Sequence, residues 1–169
     1  MMAIRNISVV HSDERALIKR KAIEDRATWM GRIYEEGLKD GVDMETIIRR
    51  AINATGLAKG AGVKANCNDS TNCKEFCQAF LGNPVSRTTF QMEFESVTED
   101  ELKVNFHYCP LVEAWKKIGY DDAMCAKLCD MAMDGDRAIA EASGLKLDIP
   151  EKIAEGGACC RLHFHKVDK

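Results

Sequence analysis

The chain has 169 residues, 24 Lys and Arg against 27 Asp and Glu, a formal charge of −3 and 46% hydrophobic residues. That is the size and composition of one ordinary globular domain and excludes a disordered or collagen-like chain. The charge balance also gives no footprint for a phosphate backbone, because Lys19-Arg20-Lys21 and Arg49-Arg50 sit among acids in helical sequence, so nucleic acid is not expected as a partner.

From Ser12 to about Leu38 the sequence is charged and free of Pro. Ala16, Ile23, Ala27, Met30, Ile33 and Tyr34 fall at mostly three- and four-residue steps, which predicts one amphipathic helix punctuated by Gly37 and Gly41. Trp29 shares the core spacing and is expected to pack inside, as is Trp115. Asp43 is placed to cap a second helix carrying Met44, Ile47, Ile48, Ala51 and Ile52 up to Gly56. Residues 60–63 and 66–70 read as loop, and Asp69 or Ser70 as the cap of a short helix through Phe80 that Gly82-Asn83-Pro84 stops.

The period then changes. Phe90, Met92 and Phe94 alternate with polar residues, and after Thr98-Glu99-Asp100 so do Leu102, Val104, Phe106 and Tyr108, which predicts an antiparallel hairpin with one buried face. Cys109-Pro110 ends the second strand and opens a helix from Leu111 to Ile118, closed by Gly119. Asp121 caps a helix expected to run from Asp122 to about Ala142, and Cys160, Leu162 and Phe164 mark a last strand. The fold class is therefore α+β, with the N-terminal helices and two further helices packed on one face of a small antiparallel sheet. A single domain over 1–169 is expected, with 1–85 a mainly helical half and 86–169 the sheet-plus-helix half that carries the site.

Eight cysteines are the oddity. No run approaches the roughly 18 apolar residues needed to span a bilayer, and Ile7-Ser8-Val9-Val10 is too short for a secretory core, so the expectation is a cytoplasmic protein without membrane attachment. Its thiols should stay reduced, and packing, metal binding or catalysis must account for them. In the helix after Asp121, the residues Cys125, Cys129, Ala132, Asp136 and Ile139 follow steps of four and three and share one stripe, while Lys127, Asp130, Asp134, Arg137 and Glu141 lie on the opposite arc. An acid on the apolar side is either held by free backbone amides near Gly135 or functional.

Cys109 is positioned to cap its helix with the sulfur near the amides of Leu111 and Val112, which lowers a thiol pKa, or else it fills the bend before Pro110. Strict alternation would turn it outward with Asn105 and His107 unless Pro110 ends the pleat early. Cys159 and Cys160 follow Gly156-Gly157, and strand parity groups Cys160 with Leu162 and Phe164.

Tyr108-Cys109-Pro110, Leu128-Cys129-Asp130 with Asp136 following, and the run from Glu155 through Cys159-Cys160-Arg161 to Phe164 resemble the core of the L-2-amino-thiazoline-4-carboxylic acid hydrolase family, over about Phe90 to Phe164. The resemblance implies hydrolytic opening of a small cyclic amino-thiazoline carboxylate to N-carbamoyl-L-cysteine. Carried over by position, it implies Cys109, Cys129, Asp136 and Cys160 as site residues around a common cavity. Asp130, Asp134 and Asp136 all follow Cys129, and the helix stripe favours Asp136.

Two mechanisms fit. In one, a Cys109 thiolate attacks the ring carbon and Asp136 manages protons, with no cofactor required. In the other, Cys109, Cys129 and Cys160 bind a soft metal such as zinc, with Asp136 as fourth ligand or as base for a metal-bound water. A non-catalytic module that senses or carries a small ligand or metal is the alternative from another class. Cys67, Cys73 and Cys77 form a second cluster, either core or a separate zinc or iron–sulfur site. His107, His163 and His165 read as a solvated strand edge and His11 as surface. Arg161 is either an exposed strand arginine or a clamp for a substrate carboxylate. The expected partner is a small-molecule substrate, and a homodimer stays open.

Overall fold

The computed structural model describes residues 3–167. Asp13 accepts from the Ala16 amide and starts α1 (Glu14–Lys39), and Asp43 accepts from Thr46 and starts α2 (Met44–Ala65). The second helix therefore does not end near Gly56, and residues 60–63 are not loop. Gly56 and Gly60 lie against a later helix, α7 (Asp134–Ala142). A Cβ on Gly56 would stand 2.4 Å from the Gly135 carbonyl oxygen, and one on Gly60 2.6 Å from the Ala142 Cβ. Their lack of a side chain serves close helix packing rather than punctuation.

Asn72, not Asp69 or Ser70, caps α3 (Cys73–Leu81), its side chain accepting from Lys74 N at 3.0 Å. Asn83 and Pro84 stop that helix by beginning another, the short α4 (Pro84–Phe90), with Asn83 as its cap. Four strands follow the order β1-β2-β4-β3, all antiparallel: β1 (Met92–Val97), β2 (Glu101–Phe106), β3 (Leu145–Glu151) and β4 (Cys160–Lys166). Missing from the sequence reading are α4, whose last residue Phe90 was expected in the first strand, and the β3 edge strand, although Leu145, Leu147 and Ile149 alternate with Lys146, Asp148 and Pro150. Pro150 is tolerated there because the register shifts between Asp148 and Glu151 at a sheet edge.

The predicted alternation places Leu102, Val104, Leu162 and Phe164 inside, and Phe76 of α3 packs on Phe164 with ring centroids 5.0 Å apart. Helices α5 (Pro110–Lys117) and α6 (Asp122–Ala132) complete the helical layer, with Trp115 fully buried and its indole donating to the Ala27 carbonyl of α1 at 2.9 Å. Trp29 does the opposite of what its spacing suggested and stands 72% exposed.

The long helix expected from Asp122 to Ala142 breaks at Met133 into α6 and α7. Arg137 covers the break by donating to the Asp130 carbonyl at 3.2 Å. Arg20, part of an apparently solvated basic cluster, is buried and donates to Thr89 O at 2.9 Å, Ser8 Oγ at 2.6 Å and Val10 O at 3.1 Å. It pins the extended N-terminal segment to the end of α4.

Replacing Gly56 by Ala adds about 1 kcal/mol of helix propensity but forces a methyl into the Gly135 backbone, which cannot swing away. Thermal or urea unfolding of Gly56→Ala is expected to show a net loss of about 1–2 kcal/mol. Gly62→Ala, with nothing within 4 Å of the added carbon, is expected to be neutral or stabilising in the same measurement.

Candidate functional site

Strand β2 ends at Phe106, and the backbone leaves the pleat before Pro110, so Tyr108 and Cys109 are both buried in succession. This is the turn that carries Cys109 inward against strict alternation. Asn6 fixes the bend from the far end of the chain. Its side-chain carbonyl accepts from the Cys109 amide at 2.8 Å, and its side-chain NH2 donates to the Cys109 carbonyl at 2.9 Å.

The strand register sets Cys160 opposite Phe106, at the same end of the sheet, and α6 brings Cys129 from below. Cys109, Cys129 and Cys160 lie in the hydrophobic core, which also takes in Cys73, Cys77 and Cys125, and the Cys129 thiol lies within the electrostatic reach of Cys109 and Cys160. Burial pushes all three thiols up, Cys129 and Cys160 well above the ordinary range. At Cys109 the amides of Val112 and Leu111 pull the other way, although the sulfur closes no hydrogen bond of cap geometry. The expected lowering of this thiol is thus present as a force but loses to desolvation.

Asp136 sits beside this cluster, its charge raising the Cys109 thiol further. Its carboxyl is held above the ordinary aspartate range by desolvation, which outweighs the fields of Lys59, Arg26 and Arg137. The side chain retains some contact with solvent, and it has no hydrogen-bond or ion-pair partner among the described residues. The other two acids are spoken for. Asp130 is paired with Arg49 at 2.7 Å and Arg137 at 3.0 Å, and Asp134 with Arg49 at 3.0 Å and Arg137 at 2.6 Å. These guanidinium bonds hold Asp130 down at about 2.

Lys152 was not visible as a site residue in the sequence. It precedes the 3-10 turn Ile153–Glu155, keeps only 12% of its side chain exposed, and lies 2.6 Å from Glu155 and 3.7 Å from Asp130. Its charge reaches both Cys129 and Cys160. Nothing in its sequence neighbourhood marks it, because the folding of the turn onto α6 is what brings it there. Cys160 also accepts from the Ile153 amide at 3.4 Å, so the same turn touches the cluster twice.

The remaining candidates stay outside. Cys73 and Cys77 are core residues of α3, and Cys67 is half-buried with its thiol donating to the Val63 carbonyl. Among the described residues no three His, Cys, Asp or Glu side chains form a group able to hold a metal ion. His107 pairs with Glu93 at 2.7 Å and His165 with Asp148 at 3.0 Å on the outer sheet face. Arg161 is exposed and bound to Glu151 at 2.7 Å, with its charge reaching the Cys159 thiol. Two surface hollows, one bordered by Val10, Gln91 and His107 and the other by Arg49, Asn53 and Asp134, are separate from the cysteines. Neither is the common cavity expected between the thiols and the acid.

Fold and site together define an α+β domain with buried thiols at a strand end, in a helix and at the start of a returning strand, and one acid without a partner among the described residues. The profile of the L-2-amino-thiazoline-4-carboxylic acid hydrolase family matches residues 20–164, and the chain belongs to that family. Among solved structures, trafficking protein particle complex subunit 3 from Naegleria fowleri, covalently bound to palmitic acid, is similar with a TM-score of 0.51 and 12% identity. That likeness covers 86% of this chain and 95% of the other, and at such identity it is one of fold. No curated protein matches the sequence. No helix among the described residues is long and apolar enough to cross a membrane.

The three acids are expected to separate in a denaturation series. Asp130→Asn removes a partner from both Arg49 and Arg137 and should cost about 1 kcal/mol at neutral pH, the solvent screening of a partly exposed network keeping the figure small. Because the folded state depresses this carboxyl, the stabilisation is present above the ordinary aspartate pKa and fades as pH falls toward about 2. Urea midpoints of wild type and Asp130→Asn should therefore converge in acid.

Proposed function

We propose that the protein hydrolyses a small cyclic amino-thiazoline-type carboxylate, opening the ring to an N-carbamoyl-cysteine-type product. The reading rests on one observation: in a member of this hydrolase family, the buried Cys109 thiol lies within the electrostatic reach of Asp136, an acid with no hydrogen-bond or ion-pair partner among the described residues.

Cys109 acts as nucleophile and Asp136 as its base. Burial and the charge of Asp136 both disfavour the Cys109 thiolate, so the thiol keeps its proton until the carboxylate takes it. The carboxylate takes the Cys109 proton as the sulfur bonds to the ring carbon between nitrogen and sulfur. The carbon–sulfur ring bond then breaks, and Asp136 returns the proton to the departing ring sulfur. Water, deprotonated by the same carboxylate, adds to that carbon, its second proton passes to the former ring nitrogen, and the carbon expels Cys109, which recovers its proton from the carboxyl. One water is consumed and the urea group of the product is formed. The high pKa of the thiol suits this route, because the proton moves in the reacting pair and no standing thiolate is needed. Lys152 supplies a positive field near Cys129 and Cys160 that suits a substrate carboxylate.

A second reading has one observation in its favour: the similar structure carries palmitic acid covalently. In it, one of the buried thiols holds an acyl group as a thioester and the domain is a carrier. An acyl mass increment on purified protein that neutral hydroxylamine removes would favour the carrier over the enzyme.

Cys109→Ala should abolish turnover of an amino-thiazoline carboxylate, measured as free thiol released from the ring, while circular dichroism remains that of the wild type. Asp136→Asn should slow turnover by about 10²-fold or more. The same substitution is expected to raise stability at neutral pH. A carboxyl whose pKa is raised by folding opposes the folded state once pH exceeds its unfolded value, and the amide removes that opposition. A thermal melt that rises as activity falls marks a functional acid; a melt that falls marks a structural one. The wild-type rate should drop as pH descends through a value above the ordinary aspartate range, and this limb should vanish in Asp136→Asn.

A further inference from the structure

Trp29 has no role in the fold or in the site, yet it is the largest exposed apolar side chain among the described residues, at 72%. It is not isolated. Ile18 at 61% and Ile33 at 51% stand exposed on the same helix, eleven residues before it and four after it. With exposed Ala22 they form a stripe on the side of α1 opposite the one that buries Ala16, Ile23, Ala27 and Tyr34. A helix that is apolar on both sides has a second surface to cover.

The charges on that stripe identify what covers it. Arg15, Asp25, Arg26 and Glu36 punctuate the apolar residues, all exposed. The ion pairs of α1 use Glu24, Arg32, Glu35 and Glu36, with Glu36 held only by its near neighbour Lys39, and leave Arg15, Asp25 and Arg26 unpaired among the described residues. When a second copy of α1 is laid antiparallel on the first about a twofold axis between Asp25 and Arg26, every position meets a complement. Ala22 faces Trp29, Ile18 faces Ile33 and Arg15 faces Glu36, each pair occurring twice, while at the axis Asp25 and Arg26, roughly 100° apart on the helix, each flank their own copy and have the opposite charge of the second copy diagonally across the seam. The large indole meets a methyl and the two charge pairs close both the centre and the ends. No other antiparallel register pairs these residues so. A heterologous partner would have no reason to require that the stripe be complementary to itself, whereas a twofold contact requires it.

We propose that the chain forms a homodimer through α1, paired antiparallel about Asp25 and Arg26. The contact from Arg15 to Glu36 runs about 32 Å along the helix, long enough for a specific but modest interface. The proposal does not rest on the function argued above, and because the field of Arg26 reaches Asp136 its test reads association alone.

Sedimentation equilibrium of the full chain tests it. Wild type is expected to be a dimer, with Trp29 emission shifting to the blue as concentration rises while buried Trp115 stays constant. Trp29→Glu should weaken association by at least about tenfold, as expected for a central aromatic anchor. Asp25→Arg should also weaken it, by setting arginines opposite one another. Adding Arg26→Asp to that variant restores opposite charges in this register alone, so the double variant should dimerise like wild type. A wild type that remains monomeric, a dimer indifferent to Trp29→Glu, or a double variant no better than Asp25→Arg each overturns the proposal. So does a monomer whose Trp29 emission shifts only on addition of phosphatidylcholine vesicles, which would make the stripe a lipid contact instead.

Discussion

The contact of α2 with α7 is the constraint on which the site depends. Two glycines one turn apart, Gly56 and Gly60, let the α2 backbone lie almost against that of α7, close enough for a single methyl at either position to collide. An ordinary helix pair, held 8–10 Å apart by side chains, would leave α7 further out and Asp136 in water. Close approach instead draws Asp136 toward the interior, where desolvation raises its pKa and the Cys109 thiol lies within its field. The acid costs free energy at this position, and the glycine packing is what holds it there.

The arginines beside it show how the fold sorts three neighbouring acids. Arg49 from α2 and Arg137 from α7 both bind Asp130 and Asp134, so these carboxylates are ionised and occupied across the break between α6 and α7. Asp136 lies one residue from Arg137 and feels its field without sharing its hydrogen bonds. The network thus removes two acids from chemistry and leaves the third available, while tying together the helices that carry Cys129 and Asp136.

Elements with an amphipathic period were legible in the sequence, because alternation and helical steps report directly which side of an element meets the core; strict alternation turned Cys109 outward, and it is the early end of the pleat before Pro110, which the sequence left open, that brings it inside. Gly56 was not, since a glycine in a helical pattern reads alike whether it ends a helix or lets another helix approach, and only the partner distinguishes the two. β3 escaped because a Pro within an otherwise alternating run argues against a strand, whereas the edge position and the register shift accommodate Pro150. Trp29 misled for a related reason: its spacing belongs to a genuine apolar stripe, but one on the outer side of α1. Local periodicity identifies an apolar face without saying which body covers it. The site was read as three thiols and one acid, and the residues that hold and charge it, Asn6 and Lys152, were missed because each is brought in by tertiary contact alone.

Asn6 bears on how a closed site keeps its geometry. The bend from β2 into α5 leaves the ladder at Phe106, so the peptide groups of Cys109 have lost their strand partners just where the thiol must be aimed. Asn6 replaces both, accepting from the amide and donating to the carbonyl across 103 residues of sequence. The segment that carries it is itself anchored by Arg20 through Ser8 and Val10, and Arg20 stacks over the Tyr108 ring at 4.1 Å. A buried arginine, an extended segment and a strand end therefore form one closed loop of contacts around the bend. A loop of this kind fixes the direction of the Cys109 side chain from the backbone outward, and it leaves the sulfur free of strong hydrogen bonds. That combination is what a thiol needs if its proton is to pass to a neighbouring carboxylate rather than be held by the protein.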